Sequence, residues 1–349
     1  MVTLKSAWKD ISGRIINKRR FETKDIVKRL KVITGHDLLI KNYPVRTPRV
    51  AFNPSIYLFG DKLRVYARVI MGYYTYASAV AEFEIGLDEL YSAERREYEA
   101  EITVIPDTKY DLWGVEDPRV YEIDGKLLMT YCGRTVNYFN VEIKSERTLP
   151  VTAIYKNGKW QKIAVFRMPE EIRTFVKSDK NAFLVKGNKL MLYHRLHMLN
   201  DKFYLAVCEV PKNVLESEEL KEVEIGENLT VMESAPFEEK IGWAAPPIRI
   251  NDEFLVLIHG VDKELQAYRV FAVLMDRDGT FRAVTPFYIL EPKELYEKYG
   301  DRPYVVFPCG IQKIEDKLLI SYGGADTAVV IGEIEIETLM NILEDNRVY

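Results

Sequence analysis

The chain has 349 residues, 47% of them apolar, and a net charge of −4. That is enough apolar material for a large core, and interspersed charges leave no electrostatic footprint for nucleic acid or an anionic membrane. Three cysteines, Cys132, Cys208 and Cys309, are too few and too scattered for a disulfide framework or a zinc site, and read as reduced and buried.

In chain order, the opening MVTLKSAWKDISGRIINKRR lacks the apolar run of a signal peptide, and no stretch is long enough to cross a bilayer. A cytoplasmic protein is the expectation. Residues 1–45 precede the repeats described below. Within them, ETKDIVKRLKVI (22–33) places Ile26, Val27, Leu30 and Ile33 at the spacing of a one-sided helix. Such a helix would pack outside the main domain or on a second copy, which makes a homo-oligomer the possible assembly.

Five strand-like phrases then recur: GDKLRVYAR (60–68), DGKLLMTYCGR (124–134), GNKLMLYHR (187–195), NDEFLVLIHG (251–260) and EDKLLISYGG (315–324). Equivalent residues Lys62, Lys126, Lys189, Glu253 and Lys317 are separated by 64, 63, 64 and 64 positions. A fixed period of this size marks supersecondary units that must stack to bury their apolar faces. Five units of about four strands each predict an all-β fold, a five-bladed β-propeller, over residues 46–336. Short helical additions flank it: residues 1–45, a helical and extended segment packing on the propeller, and a helix and tail at 337–349 that includes ETLMNILED (337–345). The polar stretches 211–224 and 291–300 read as insertions. Ring closure is expected from pairing VVIGEIEI (329–336) with a strand from residues 36–45.

Ten residues before the first Leu or Phe of each phrase stand Asn53, Asp117, Lys180, Ala244 and Pro308. A scaffold varies the repeat positions it uses, so this one is expected to face a shared axial site. Asp117 belongs to Gly114-Val115-Glu116-Asp117-Pro118-Arg119-Val120, where strand alternation would send Glu116 and Asp117 to opposite sides. One carboxylate would then face the axis while the other binds neighbouring backbone; a strand-start turn with a surface Asp–Arg pair is the bland alternative. Arg68, Arg134, His194, Arg195 and His259 end the repeat phrases, and with Lys180 they would converge as a cradle for phosphate or a carboxylate. Asp326, after Tyr322-Gly323-Gly324-Ala325, is placed either to bind neighbouring sugar hydroxyls or to make a turn. Tyr110, Trp113, Tyr131 and Trp243 are candidate aromatic walls. His36 and His197 have no supporting motif and read as structural.

Together, FNPSIYLFGDKLRVYAR (52–68), GVEDPRV (114–120), YCGRT (131–135), KNAFLVKGNKLMLYHR (180–195), GWAAPPIRINDEFLVLIHGV (242–261) and VVFPCGIQKIEDKLLISYGGAD (305–326) resemble glycoside hydrolase family 130. The resemblance implies a β-mannoside phosphorylase on a five-bladed propeller, with Asp117 as the catalytic acid and Asn53, Arg68 and Asp326 holding the glycone. It implies Arg134, Lys180, His194, Arg195 and His259 around the phosphate subsite, with Arg147 the nearest candidate for one further arginine. The expected reaction is inverting: inorganic phosphate, a co-substrate, attacks the anomeric carbon and yields α-mannose 1-phosphate, with no metal or organic cofactor. Two other readings compete with it. A hydrolase on the same scaffold would need a second carboxylate as base, such as Glu116 or Glu233, and a propeller that only binds sugar or protein would need no axial acid.

Overall fold

A computed structural model describes residues 11–72 and 77–348. The opening residues 1–10 of the segment read above for a signal peptide lie outside the described residues. Five antiparallel sheets, blades I to V, each run outward from an innermost strand. Blade I comprises Val50–Phe59, Lys62–Ile70, Ser78–Gly86 and Tyr98–Val104; blade II comprises Val115–Ile123, Lys126–Arg134, Thr148–Lys156 and Lys159–Arg167. Blade III is Val176–Lys186, Leu190–Met198, Phe203–Glu209 and Leu229–Met232. In blade IV the innermost position is split between Glu238–Trp243 and Ile248–Ile250, followed by Glu253–Asp262, Tyr268–Met275 and Phe281–Val284. Blade V runs Val306–Ile314, Lys317–Gly324 and Ala328–Glu335. The innermost strands touch in sequence from blade I round to blade V and back to blade I, closing the propeller. Each repeat phrase forms the second strand of its blade, and the apolar side chains between blades supply the core.

The N-terminal segment corrects the expected helix. Lys28–Thr34 is a strand, antiparallel to Ala328–Glu335, and forms the outer edge of blade V. An open sheet edge must be paired or covered, and the β-branched Val32 and Ile33 suit that edge better than a helix surface. Closure therefore uses residues 28–34 against blade V, whereas Leu38–Ile40 runs parallel to Tyr98–Val104 in blade I. One segment thus staples the last blade to the first. Arg29 secures it, donating from Nε to buried Glu297 at 3.1 Å and from Nη1 to Asp25 at 2.7 Å, while the Tyr322 hydroxyl donates to Glu297 at 2.6 Å. A helical stretch does occur earlier, at 11–18.

The stretch 211–224 forms a 3-10 turn, Lys212–Glu216, and a strand, Lys221–Glu224, that returns to pair in parallel with Lys159–Arg167 of blade II. Within 291–300 only Leu295–Lys298 is helical, and its own Glu297 is buried. The C-terminal helix spans Ile336–Glu344, close to the expected 337–345, and all three cysteines are free and buried.

Candidate active site

Three innermost strands open in the same way. Two residues face one on the adjacent strand at Asn53–Pro54, Asp117–Pro118 and Asn181–Ala182. The first residue of each bulge lies in the left-handed region, with φ of 45°, 52° and 57°. Asn and Asp tolerate that region better than other side chains, so their recurrence has a backbone cause as well as a chemical one. A bulge re-aims side chains. Here Asn53, Glu116, Asp117, Lys180 and Asn181 all enter one cavity of about 660 Å³ on the propeller axis.

Two expectations change at these bulges. The residue equivalent to Asn53 and Asp117 is Asn181 rather than Lys180, because the blade III hairpin joins Lys186 to Leu190 with one more loop residue than Phe59 to Lys62 in blade I. The alternation expected to separate Glu116 from Asp117 is cancelled by the left-handed Asp117, so both carboxylates face the cavity. Neither acts as a surface partner of Arg119. That arginine is buried and donates to the carbonyls of Asp117 (2.9 Å), Ala244 (2.7 Å) and Trp243 (3.3 Å), tying blade II to blade IV beneath the cavity.

On the side formed by blades V, I and II, acid and base are already matched. Asp117 Oδ1 accepts from Asn53 Nδ2 at 2.8 Å and from Arg68 Nη1 at 3.0 Å. Glu116, only 1% exposed, contacts three cations: Arg134 Nε at 2.6 Å, Lys180 Nζ at 3.0 Å and Arg68 Nη2 at 3.1 Å. Burial pushes its pKa up, but Arg68, Lys180 and Arg134 outweigh burial and hold it well below the usual carboxylate range. Gly323 is what lets Asn53 reach this place, since a Cβ there would overlap Asn53 Oδ1. Asp326, in a left-handed turn at φ 53°, completes this side. Its pKa is pushed up to about 6, by burial first; Arg68 lowers it and the Asp117 charge raises it.

The opposite side, from blade III through IV to V, carries positive charge with little carboxylate compensation. Among the described residues neither Arg195 nor Arg302 forms an ion pair; Arg195 lies over Phe203 at 5.4 Å and Arg302 over Tyr268 at 4.6 Å. Lys240 stands between the same two rings, with Glu239 at 4.0 Å. Burial, reinforced by Arg195 and Arg302, brings its pKa down to about 8. Burial also lowers Arg195.

Of the residues singled out from sequence, Asn53, Arg68, Asp117, Arg134, Lys180, Arg195 and Asp326 share this cavity. His194 and His259 do not line it; both are fully buried. His259 is wedged between Tyr268 and Phe307 (centroids 5.6 and 4.8 Å), with both ring nitrogens lacking a partner. Burial, then Arg195 and Arg119, hold it well below its ordinary pKa, hence neutral. Arg147 is also elsewhere: it donates to the carbonyls of Asn137, Tyr138, Asn140 and Ile143 and pins a loop whose Tyr138 and Phe139 form the cavity rim. The candidate aromatic walls Tyr110, Trp113, Tyr131 and Trp243 are absent from the lining, and the rings present are Phe52, Tyr138, Phe139, Phe203, Tyr268 and Phe307. Glu233 is exposed and outside the cavity.

Sequence reasoning missed Lys240, Arg302, Asn181 and His197. Asn181 was readable, since it stands 64 residues after Asp117. Lys240 precedes the motif considered and Arg302 lies in a blade-connecting loop, so neither had a repeat signal. His197 stacks on Phe203 at 4.1 Å with Nε2 2.9 Å from Asp201, at the cavity edge rather than in the core.

The sequence profile of glycoside hydrolase family 130, described as β-1,4-mannooligosaccharide phosphorylase, matches residues 17–345. The chain belongs to that family. It is 27% identical over 238 residues to a 1,2-β-oligomannan phosphorylase of Thermoanaerobacter sp. strain X514, covering 67% of this chain and 72% of that protein. It is 30% identical over 234 residues to a β-1,2-mannobiose phosphorylase of the same organism, covering 65% of this chain and 68% of the relative. The solved β-1,2-mannobiose phosphorylase of Listeria innocua, bound to β-1,2-mannobiose, superposes with a TM-score of 0.61 at 18% identity, covering 92% of this chain and 97% of the other. That likeness supports the propeller fold.

Proposed function

We propose that this family 130 enzyme is an inverting phosphorylase that cleaves β-mannosides with inorganic phosphate, releasing α-mannose 1-phosphate. The observation that carries the proposal is the division of the cavity: Asp117 fixed on one side by Asn53 and Arg68, and on the other Arg195 and Arg302, which form no ion pair among the described residues. Six cationic side chains line the cavity, Arg68, Arg134, Lys180, Arg195, Lys240 and Arg302, against four carboxylates, Glu116, Asp117, Asp301 and Asp326. The excess of positive charge suits an anion such as phosphate, which carries roughly −1.5 to −2 near pH 7.

In the mechanism this geometry supports, the glycone lies on the side of Asn53, Arg68 and Asp326. Phosphate is held by Lys180, Arg195, Lys240 and Arg302, with Arg134 behind Glu116. A phosphate oxygen forms its bond to the anomeric carbon from one face as the glycosidic bond breaks on the other. Asp117, fixed by Asn53 and Arg68, is the source of the proton taken by the departing sugar oxygen, directly or through a mannose hydroxyl. Positioned acids of this kind contribute about 10²- to 10⁴-fold.

Hydrolysis would require a second carboxylate free to activate water. Of the two bases considered from sequence, Glu116 is engaged by three cations and Glu233 lies outside the cavity, which disfavours either in that role. No step of this mechanism uses a metal. A charged sugar phosphate is retained by a membrane, which suits a cytoplasmic setting; among the described residues no helix is long and apolar enough to span a bilayer. The test is incubation of the purified chain with β-1,2- and β-1,4-mannobiose, with and without phosphate and with a chelator present. The expected product is α-mannose 1-phosphate, formed only with phosphate. Free mannose released equally without phosphate would overturn the assignment.

A further inference from the structure

Behind the cationic side of the cavity lies a buried pair with no part in the mechanism above. His194 is the residue that faces the blade III bulge: Lys180 pairs with Arg195 and Phe183 with Tyr193, leaving His194 opposite Asn181 and Ala182. In blades I and II the corresponding residues are Ala67 and Tyr131. The imidazole points away from the cavity. Its Nδ1 lies 2.8 Å from Asp179 Oδ2 and its Nε2 lies 2.6 Å from Asn228 Oδ1. The Asn228 amide is oriented by its own Nδ2, which donates to the Gly226 carbonyl at 2.9 Å and faces Met168 Sδ at 3.4 Å. Both ring nitrogens therefore meet acceptors, and only the doubly protonated ring satisfies both. The electrostatics agree: burial lowers the His194 pKa, but the Asp179 carboxylate and its hydrogen bond outweigh burial and raise it well above the ordinary value, with Cys208 adding to the rise.

The pair lies directly behind two of the cations that line the cavity. Asp179 immediately precedes Lys180, His194 immediately precedes Arg195, and Lys180 and Arg195 are register partners. Asp179 is 2% exposed and its Oδ1 has no partner. Without a positive ring beside it, a buried carboxylate would draw on the nearest cations.

We infer that His194 is a positioning residue for the phosphate cradle: its doubly protonated ring neutralises Asp179 behind the bulge, so that Arg195, which unlike Lys180 has no carboxylate of the cavity to hold it, stays turned into the cavity instead of folding back onto Asp179. This role is distinct from direct phosphate contact and rests on the phosphorylase assignment. It predicts an asymmetry. His194→Gln leaves Asp179 uncompensated beneath an anion site, and the KM for phosphate rises about tenfold or more while kcat changes little. Asp179→Asn removes the negative charge, and the KM for phosphate shifts by less than about threefold. The double variant, with neutral hydrogen-bonding groups at both positions, recovers the phosphate KM of the parent chain.

The experiment measures kcat and the phosphate KM for the parent and the three variants, with thermal unfolding to confirm folding. The phosphate requirement of the parent chain is established first, so loss of the assignment is seen separately from loss of the inference. Recovery in the double variant supports the inference. Equal impairment by both single changes, or a double variant no better than His194→Gln, would overturn it and leave a packing or direct-contact role. Should His194→Gln fail to fold, the double variant decides: a phosphate KM within threefold of the parent supports the inference, and a tenfold rise overturns it.

Discussion

The two sides of the cavity use the same residue types to opposite ends. On the blade V–I–II side, Arg68 and Arg134 are engaged by Glu116 and Asp117, so their charge is spent on holding carboxylates in place; Lys180 of blade III bridges the two sides through Glu116. On the blade III–IV–V side, Arg195, Lys240 and Arg302 lie over Phe203 and Tyr268, and their charge is available to a ligand. Paired ions give geometry and unpaired ions give affinity. Mutations on the two sides should therefore fail differently.

The largest expected effect comes from the centre. Asp117→Asn should lower kcat for phosphorolysis by about 10²- to 10⁴-fold with little change in folding, read from the initial rate of α-mannose 1-phosphate formation. Next is the contrast itself. Arg134→Ala removes one of three cations from a buried carboxylate and should cost about 2–4 kcal/mol in denaturant unfolding. Arg195→Ala should leave stability nearly unchanged and raise the phosphate KM by about 10- to 100-fold. If Arg195→Ala instead destabilises the fold while Arg134→Ala does not, the division described here is wrong.

The acid side has its own pH signature. Glu116 is depressed below its ordinary value of 4.5, so the stability it contributes is present above about that pH and is lost as pH falls toward the folded-state pKa. Glu116→Gln should flatten that part of the acid unfolding curve. A smaller effect tests the glycine: Gly323→Ala would displace Asn53 from Asp117 and should lower kcat about tenfold, the cost of one hydrogen bond to a charged group.

The smallest effects are two titrations that report the two sides separately. Asp326, with a pKa near 6, loses its charge as pH falls below that value. The KM for the mannoside should then rise a few-fold, and Asp326→Asn should remove the inflection. Lys240, near 8, loses its charge as pH rises above that value; the phosphate KM should rise there, and Lys240→Arg should abolish the change. Inflections that stay in place in both variants would assign them to other groups.

How much of this was legible in the sequence differs by element. The 64-residue period gave the blade number because each blade must present the same apolar faces to its neighbours, and that demand repeats along the chain. Residues 22–33 misled, since four apolar residues at helical spacing also suit a strand that closes a sheet edge, and the edge lies some 300 residues away in blade V. Asp117 was readable from its repeat position and motif. The shared direction of Glu116 and Asp117 was not, because it depends on a left-handed residue in a bulge. The imidazoles went astray for a related reason: His194 and His259 occupy the right ends of the right strands, but their side chains point into the blade.

By itself, the sequence determined the number of blades, the C-terminal helix, and which repeat positions carry acid and base, since these follow from periodicity and residue chemistry along one chain. Tertiary structure alone decided which cations are spent and which are free. Charge compensation acts between side chains from different blades, brought within about 3 Å of one another only when the ring is closed.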